Sequence, residues 1–389
     1  MARPSPKPSL AGCVAMSYMV RAMKIPTLVR SLVVGSLLVG CQVGADVASD
    51  DESASEEITV RAEGYFTAAH DTRRCVSPIC GGYWVSPVNA SSARCVDGTT
   101  AARCYVASLD LSGLGIGAAS LDGAIVYRGR IAPAVGHAYG RFVATEAWRS
   151  ATDAAPSASV ARVSTTGTAC TFLPCETLNA QRVNSAARPL PVVGVDLSGL
   201  TLSDAARDGV LGAATRDEGV LVAGVRTTAP GNPSTERVPV LRAAQAFVRV
   251  GPPGPTGQCG AALQASFAHA TERLLFTSET DAPFTWFAPA GVRTVPANST
   301  LLRLLSLPSS TPVERVTLER LLRGSVVNAD GDLPSEHRAA RFRQLVQTLG
   351  RELTGLTVYR VGTVQIRVFI LGRDRCGAVV GLETLAVET

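Results

Sequence analysis

Cysteine spacing places the tightest constraint on what this chain can fold into. Cys75-x4-Cys80 recurs as Cys170-x4-Cys175, 95 residues later. The recurrence extends beyond cysteine. Leu109-Asp110-Leu111-Ser112-Gly113-Leu114 returns as Val195-Asp196-Leu197-Ser198-Gly199-Leu200. Gly123-Ala124-Ile125-Val126 returns as Gly219-Val220-Leu221-Val222, and Glu146-Ala147-Trp148 as Gln245-Ala246-Phe247. Order is kept while loop lengths drift. The pattern predicts a duplicated, β-rich, disulfide-containing domain over 59–250, made of two units of roughly 90 residues with a few strands and one short helix each. Two copies are too few for a solenoid, so the units are expected to pack face to face.

Whether those cysteines pair depends on compartment, and the beginning of the chain addresses that. Met23 to Arg30 is a short basic stretch, and Ser31 to Val39 is an apolar run of signal-peptide length. The run ends in Leu38-Val39-Gly40-Cys41, which resembles a bacterial lipobox. Residues 1–41 are therefore expected to be a signal peptide, with Met16, Met19 or Met23 as the true start. The Cys41 thiol would accept lipid and fix the protein to a membrane. Gln42 is not acidic, which points to an outer-membrane lipoprotein of the cell envelope. Residues 42–58 carry Asp46, Asp50, Asp51, Glu52, Glu56 and Glu57 among Ala and Ser, and are expected to be an acidic tether.

Export implies disulfides. Local bridges Cys75–Cys80, Cys95–Cys104 and Cys170–Cys175 are expected, each closing a short ring and contributing about 2–3 kcal/mol or less. A zinc site from Cys75, Cys80, Cys95 and Cys104 is the alternative, but the eight-residue gap between the last two fits structural zinc poorly. Cys259 and Cys376 remain, and would pair with each other. No metal or other cofactor is expected.

Charge excludes a further class. Lys and Arg number 37 against 32 Asp and Glu, a net of +5. Arg3, Lys7, Arg21, Lys24 and Arg30 precede Cys41 with no acidic residue among them, so the remainder is neutral. A neutral chain lacks the electrostatic footprint of a nucleic-acid binder, and no direct nucleic-acid contact is expected. Catalysis is not expected either. Asp110 with Ser112, and Asp196 with Ser198, read as capped turns after strands, and no histidine accompanies the second copy.

Gly251 to Gly257 is Pro/Gly-rich and marks a linker between the first domain and a second over 258–389. Leu263, Phe267, Ala270 and Leu274 predict a helix over 261–275. Phe342, Leu345, Leu349 and Leu353 predict another over 335–353, and Thr317 caps a short one through Leu322. Strands follow at 356–361, 363–371 and 378–387. In the second of these, Val364, Ile366, Val368 and Ile370 share one face, with Gln365 and Arg367 opposite. The fold class is α+β in two domains: the duplicated disulfide domain, then an α/β sandwich ending in an antiparallel β meander.

Two resemblances enter here. Arg74-Cys75-x4-Cys80-Gly81-Gly82-Tyr83, Cys104 to Asp110, and Glu146-Ala147-Trp148-Arg149 resemble an uncharacterised domain family of bacterial lipoproteins, which implies no activity. From about 263 onward the chain resembles the nuclease A inhibitor family. The likeness rests on Leu274 to Phe284, which includes Ser278-Glu279-Thr280-Asp281-Ala282-Pro283-Phe284, and on Val358 to Val364, continuing to Val387-Glu388-Thr389. The resemblance implies inhibition of a secreted or periplasmic, sugar-non-specific, Mg-dependent nuclease by plugging its active site; the alternative is a non-inhibitory structural or adhesive cell-envelope lipoprotein that reuses the fold. By motif match Glu279 and Thr389 would carry the inhibition, with Asp281 and Glu388 completing an acidic group. His269 and His337 read as surface or satisfied polar positions, and Phe284, Trp286 and Phe287 as packing.

Overall fold

The computed structural model describes residues 59–389, apart from 61, 116–123, 135–136, 169–175, 232–235 and 252–258. The expected signal peptide, Cys41, the acidic tether, the Cys170–Cys175 bridge and all but Gly251 of the linker lie outside the described residues. Glu56–Thr389 forms one compact unit.

The first half runs through β1 (Thr59–Val60), β2 (Gly64–His70), β3 (Tyr83–Pro87), β4 (Ser92–Arg94), β5 (Thr100–Ala101), β6 (Cys104–Asp110), a 3-10 turn at Ser112–Leu114, β7 (Ile125–Ala134) and β8 (His137–Ser150). Pairings β8–β6, β6–β3, β3–β2, β2–β7 and β7–β8 close a five-stranded ring in which only β6 and β8 are parallel. Alternate residues point inward, so Phe66, Val85, Val106, Phe142 and Ala144 fill the ring. Gly129 bulges β7, and a Cβ there would lie 2.2 Å from the Val143 carbonyl oxygen.

The chain continues through β9 (Val160–Thr165), β10 (Leu178–Arg182), β11 (Leu190–Val192), β12 (Gly194–Asp196), α1 (Asp204–Ala214), β13 (Val220–Pro230) and β14 (Arg237–Arg249). Here β10, β9, β13 and β14 pair in succession. β11 and β12 act as one bent strand, bonded to β10 at one end and parallel to β14 at the other. This second ring has the connectivity of the first. Gly224 bulges β13 as Gly129 bulges β7, and its Cβ would lie 2.1 Å from the Arg242 carbonyl oxygen. Each parallel strand ends in the same turn. Asp110 accepts from Ser112 N–H and pairs with Arg141, while Asp196 accepts from Ser198 N–H and pairs with Arg242. These side chains cap turns, as their spacing predicts.

The rings join where β8 pairs antiparallel with β14 and where Trp148 and Phe247, both fully buried, share one cluster. Two asparagines in left-handed backbone seal the join reciprocally. Asn89 donates to the Val160 and Val183 carbonyls and accepts from Val160 N–H. Asn184 donates to the Tyr65 and Val88 carbonyls and accepts from Tyr65 N–H.

The last part comprises α2 (Gly260–Thr271), β15 (Leu275–Phe276), β16 (Ala282–Pro283), β17 (Thr285–Phe287), α3 (Asn298–Leu304), β18 (Val313–Val316), α4 (Leu318–Leu322), α5 (Leu333–Glu352), β19 (Thr354–Val361), β20 (Gln365–Arg373) and β21 (Val379–Val387). Its antiparallel sheet has the order β17-β21-β20-β19-β18. Phe267 of α2, Leu322 of α4, and Phe342 and Leu345 of α5 cover one face, against Ile366, Val368 and Ile370. The sequence pattern assigns β20 a single apolar face, but both are covered. Phe369 and Leu371 are fully buried under Leu301 and Leu302 of α3, which makes three layers. Val364 belongs to the turn before β20 and is 55% exposed. Thr317 caps α4 through Arg320 N–H, and Asp332 caps α5 through Ser335 N–H.

The bridges Cys75–Cys80, Cys95–Cys104 and Cys259–Cys376 are present. The domains expected on either side of a linker are in close contact, because α5 serves both. Ala340 joins the core of the second ring. Asp208 of α1, 4% exposed, accepts from Arg343, which also pairs with Glu336. His337, 2% exposed, bridges Leu211 O (2.7 Å from Nδ1) and Val195 N–H (3.1 Å from Nε2). Arg341, whose pKa burial lowers to about 10, donates to Thr215, just past the end of α1, and to the carbonyls of Ala270 and Glu272 at the end of α2.

Candidate functional site

The apolar stripe predicts that α2 runs to Leu275, but the helix stops at Thr271. Arg273 takes a left-handed φ of 53° and turns the chain. The Thr271 hydroxyl bonds back to the Phe267 carbonyl, and Arg341 takes the next free carbonyls. Leu275 and Phe276 therefore start a small hairpin, β15–β16, instead of ending a helix. Phe276 and Phe284 meet edge to face at 6.1 Å, and Phe284 meets Phe342 at 6.3 Å, so the hairpin is rooted in the core.

The loop of that hairpin carries Glu279. It lies along the final strand and is tied to it. Glu279 N–H donates to the Val387 carbonyl, and Val387 N–H donates to the Ser278 hydroxyl. The Ser278 hydroxyl donates in turn to the Thr280 carbonyl, closing the loop at 2.7 Å. Beyond the strand, Thr389 reaches Glu279 Oε1 through its backbone N–H at 3.0 Å and its hydroxyl at 2.6 Å. Residues 110 positions apart thus share one exposed spot. The hydroxyl hydrogen bond from Thr389 holds the Glu279 carboxyl below its ordinary pKa, so the group is an anion at neutral pH.

The other two members of the expected acidic group have different surroundings. Glu388 forms an ion pair with Arg360, which also faces Glu314, so its charge is compensated. Asp281 is exposed and lines a cavity of about 420 Å³ between the halves, together with Arg338 and Arg341. Of the three carboxylates, Glu279 is the one bonded to Thr389, and Glu388 the one in an ion pair with Arg360. Trp286 is partly buried against Phe267, and Phe287 packs on Phe369 at 4.9 Å, as packing residues do. His269 is half-exposed, 3.6 Å from Glu218, and burial with nearby Arg216 lowers its pKa. Among the described residues, no group of three His, Cys, Asp or Glu side chains is arranged to hold a metal. No helix among them is long and apolar enough to cross a membrane.

Sequence reasoning did not find Ser278, Arg341 or the interlock at His337. Ser278 lies inside the quoted motif, yet its bond to the last strand depends on residue 387. His337 is a satisfied polar position, one of the two roles expected of it, but its partners and the Thr215 partner of Arg341 lie 126 or more residues away in the chain, beyond the reach of spacing.

Comparison with known families divides the chain at the same place. Residues 64–252 match the model described as a Domain of unknown function (DUF6748). Residues 261–389 match the model described as Nuclease A inhibitor-like protein. No curated protein matches the chain.

Proposed function

We propose that the C-terminal half is a nuclease-inhibitor module that binds a protein partner and blocks its active site with Glu279 and Thr389. The family match supports a nuclease-inhibitor-like role for residues 261–389. One contact carries the finer reading: the Thr389 hydroxyl lies 2.6 Å from Glu279 Oε1. A magnesium-dependent nuclease holds phosphate oxygens beside a hard cation. An exposed, ionised carboxylate next to a hydroxyl offers that cation two oxygen ligands that cannot be hydrolysed. Oε1 takes both donors from Thr389, leaving Oε2 for the metal. The chain itself needs no metal, because the partner supplies it. Such interfaces usually bury about 1,600 Å² around a few anchors.

Residues 259–389 carry 14 Arg and 12 Asp or Glu, so no strong field steers the encounter. Association is expected near the unsteered range of about 10⁵–10⁶ M⁻¹s⁻¹, with weak salt dependence. We also propose that the protein is exported and lipid-anchored through Cys41, and that its two rings descend from one duplicated unit.

The test titrates the Glu56–Thr389 unit against several purified Mg-dependent, sugar-non-specific nucleases. Stoichiometric inhibition that Glu279→Ala and Thr389→Ala each weaken at least tenfold, with Glu314→Gln unchanged, supports the reading. Failure to inhibit any of them at micromolar protein refutes it. The Thr389 hydrogen bonds hold the Glu279 pKa below that of a free carboxylate, so on acidification the loss of inhibition due to Glu279 should set in below the ordinary carboxylate value of about 4.3 rather than at it.

A further inference from the structure

The first ring carries a feature that nuclease inhibition does not use. Between β2 and β3 the chain forms a loop closed by Cys75–Cys80 and ending in two outward apolar side chains, Val76 (78% exposed) and Ile79 (53%). Other exposed large apolar residues among those described, such as Val225, Val327 and Val364, are scattered singly. Only here do two share a loop, and the loop is braced from below. Asp71, itself buried, accepts a bidentate pair from Arg73, and Arg73 also donates to the Ile79 carbonyl. The Tyr105 hydroxyl donates to the Pro78 carbonyl at 2.9 Å and accepts from Gly82 N–H at 3.0 Å.

Beneath the loop an aromatic row crosses the outside of the ring. Trp84, Tyr105 and Tyr139, on neighbouring strands β3, β6 and β8, meet edge to face at 5.3 and 5.6 Å, and all are partly exposed. Arg73 and Arg103 lie over Trp84 at 5.3 and 4.7 Å, and Arg74 is exposed in the loop. The loop's one carboxylate, Asp71, is already taken by Arg73. The layering therefore runs from apolar tip to amphipathic rings, with uncompensated guanidinium groups alongside.

That order matches a bilayer interface. Apolar side chains enter the acyl boundary, Trp and Tyr settle at the headgroups, and Arg meets phosphate. Aromatic and Arg anchors also serve protein interfaces, but exposed guanidinium groups beside an apolar loop tip complement the phosphates of an anionic headgroup layer in particular. We propose that the Cys75–Cys80 loop is a membrane-contact site that seats the first ring on an anionic lipid surface. This site is independent of any lipid on Cys41 and of the nuclease reading.

Flotation of the Glu56–Thr389 unit with vesicles tests it, because that unit lacks Cys41. Binding is expected to vesicles of phosphatidylcholine with 30 mol% phosphatidylglycerol, and to fall at least tenfold on pure phosphatidylcholine (about this composition the surface potential, rather than the exact fraction, matters). Val76→Asp with Ile79→Asp should weaken binding at least tenfold, and Arg74→Glu with Arg103→Glu should do the same and flatten the salt dependence. Val225→Asp and Val364→Asp, equally exposed but elsewhere, should leave binding unchanged. Thermal unfolding of each variant guards against misfolding. No flotation with anionic vesicles, or equal loss in the Val225 and Val364 variants, overturns the proposal and leaves a protein or glycan as the loop's partner.

Discussion

Replacing His337 with Ala should couple damage in both halves of the molecule. The ring donates at Nδ1 to the Leu211 carbonyl and accepts at Nε2 from Val195 N–H, the pattern of a neutral imidazole. Both partners belong to the second ring, while His337 belongs to α5 of the C-terminal sandwich. Removal leaves a carbonyl and an N–H buried and unpaired, each costing about 1–3 kcal/mol, so the loss is about 2–6 kcal/mol. His337→Gln can still donate and accept, and should lose less. The assay is urea unfolding read by tryptophan fluorescence, with Trp286 reporting the sandwich and Trp84 and Trp148 the rings. Wild type should unfold with both reporters coincident, and His337→Ala should shift both midpoints together. pH supplies a second reading. Burial lowers the His337 pKa below that of a free imidazole, with Glu336 opposing weakly and the Leu211 carbonyl favouring the charged ring. The unfolded chain then binds the extra proton first. Stability from this group is complete above about pH 6.5 and declines as pH falls, by at most about 1.4 kcal/mol per unit. His269, whose pKa is also lowered, contributes in the same direction, so the difference between wild type and His337→Gln isolates His337. A loss under 1 kcal/mol in His337→Ala, or a shift in only one reporter, would refute the interlock.

Three further outcomes follow from the same structure. Arg343→Met leaves the Asp208 carboxylate buried without its bidentate partner and should cost about 3 kcal/mol, with Asp208→Asn in the same chain recovering part of it in a double-mutant cycle. Asn89→Ala and Asn184→Ala each remove three hydrogen bonds to buried backbone at equivalent corners, so both should lower the unfolding free energy by similar amounts, about 2–4 kcal/mol by denaturant titration; a large effect at one and none at the other would break the equivalence of the rings. Cys259→Ser opens a bridge spanning 117 residues and should cost about 4–5 kcal/mol on the chain-entropy account, checked by thermal unfolding with and without reductant.

What the sequence made legible follows the range of the interaction. Cys75–Cys80 and Cys95–Cys104 are local, and spacing finds them. Cys259–Cys376 spans the domain and emerged only because two cysteines remained. The meander strands and the cap at Thr317 depend on neighbours within a few residues, so periodicity and capping chemistry suffice, whereas the cap at Asp332, which starts α5 two residues before the expected 335, escaped. The end of α2 escaped because the stripe Leu263, Phe267, Ala270, Leu274 continues past the real end. Leu274 is buried there as well, but from a turn set by Arg273 rather than from the helix. The second buried face of β20 escaped for a related reason. Arg367 breaks its apolar pattern, yet Arg367 escapes burial by pairing with Glu383 and lying over Phe369. Pairing and stacking let a charged residue share a covered face, and a binary pattern cannot register that.

The second face of α5 also bears on the candidate site. It holds His337, Arg341, Arg343 and Gln344, and His337 is a satisfied polar residue, one of the two roles expected of it. All four meet partners 126–142 residues away in the chain, which helix periodicity cannot register. Arg341 then turns this contact toward Glu279. One guanidinium group binds Thr215 at the end of α1 and also the Ala270 and Glu272 carbonyls, where α2 gives way to the hairpin that presents the carboxylate. Residues 259–389 on their own would expose Ala340 and Phe342's neighbours on α5, unpair His337 and Arg343, and leave Arg341 without its anchor in the first half. The launch point of the Glu279 loop would then be held by fewer bonds than it has in the intact unit. The Glu279–Thr389 contact therefore keeps these supporting bonds in a chain that retains residues 195–215 together with 259–389.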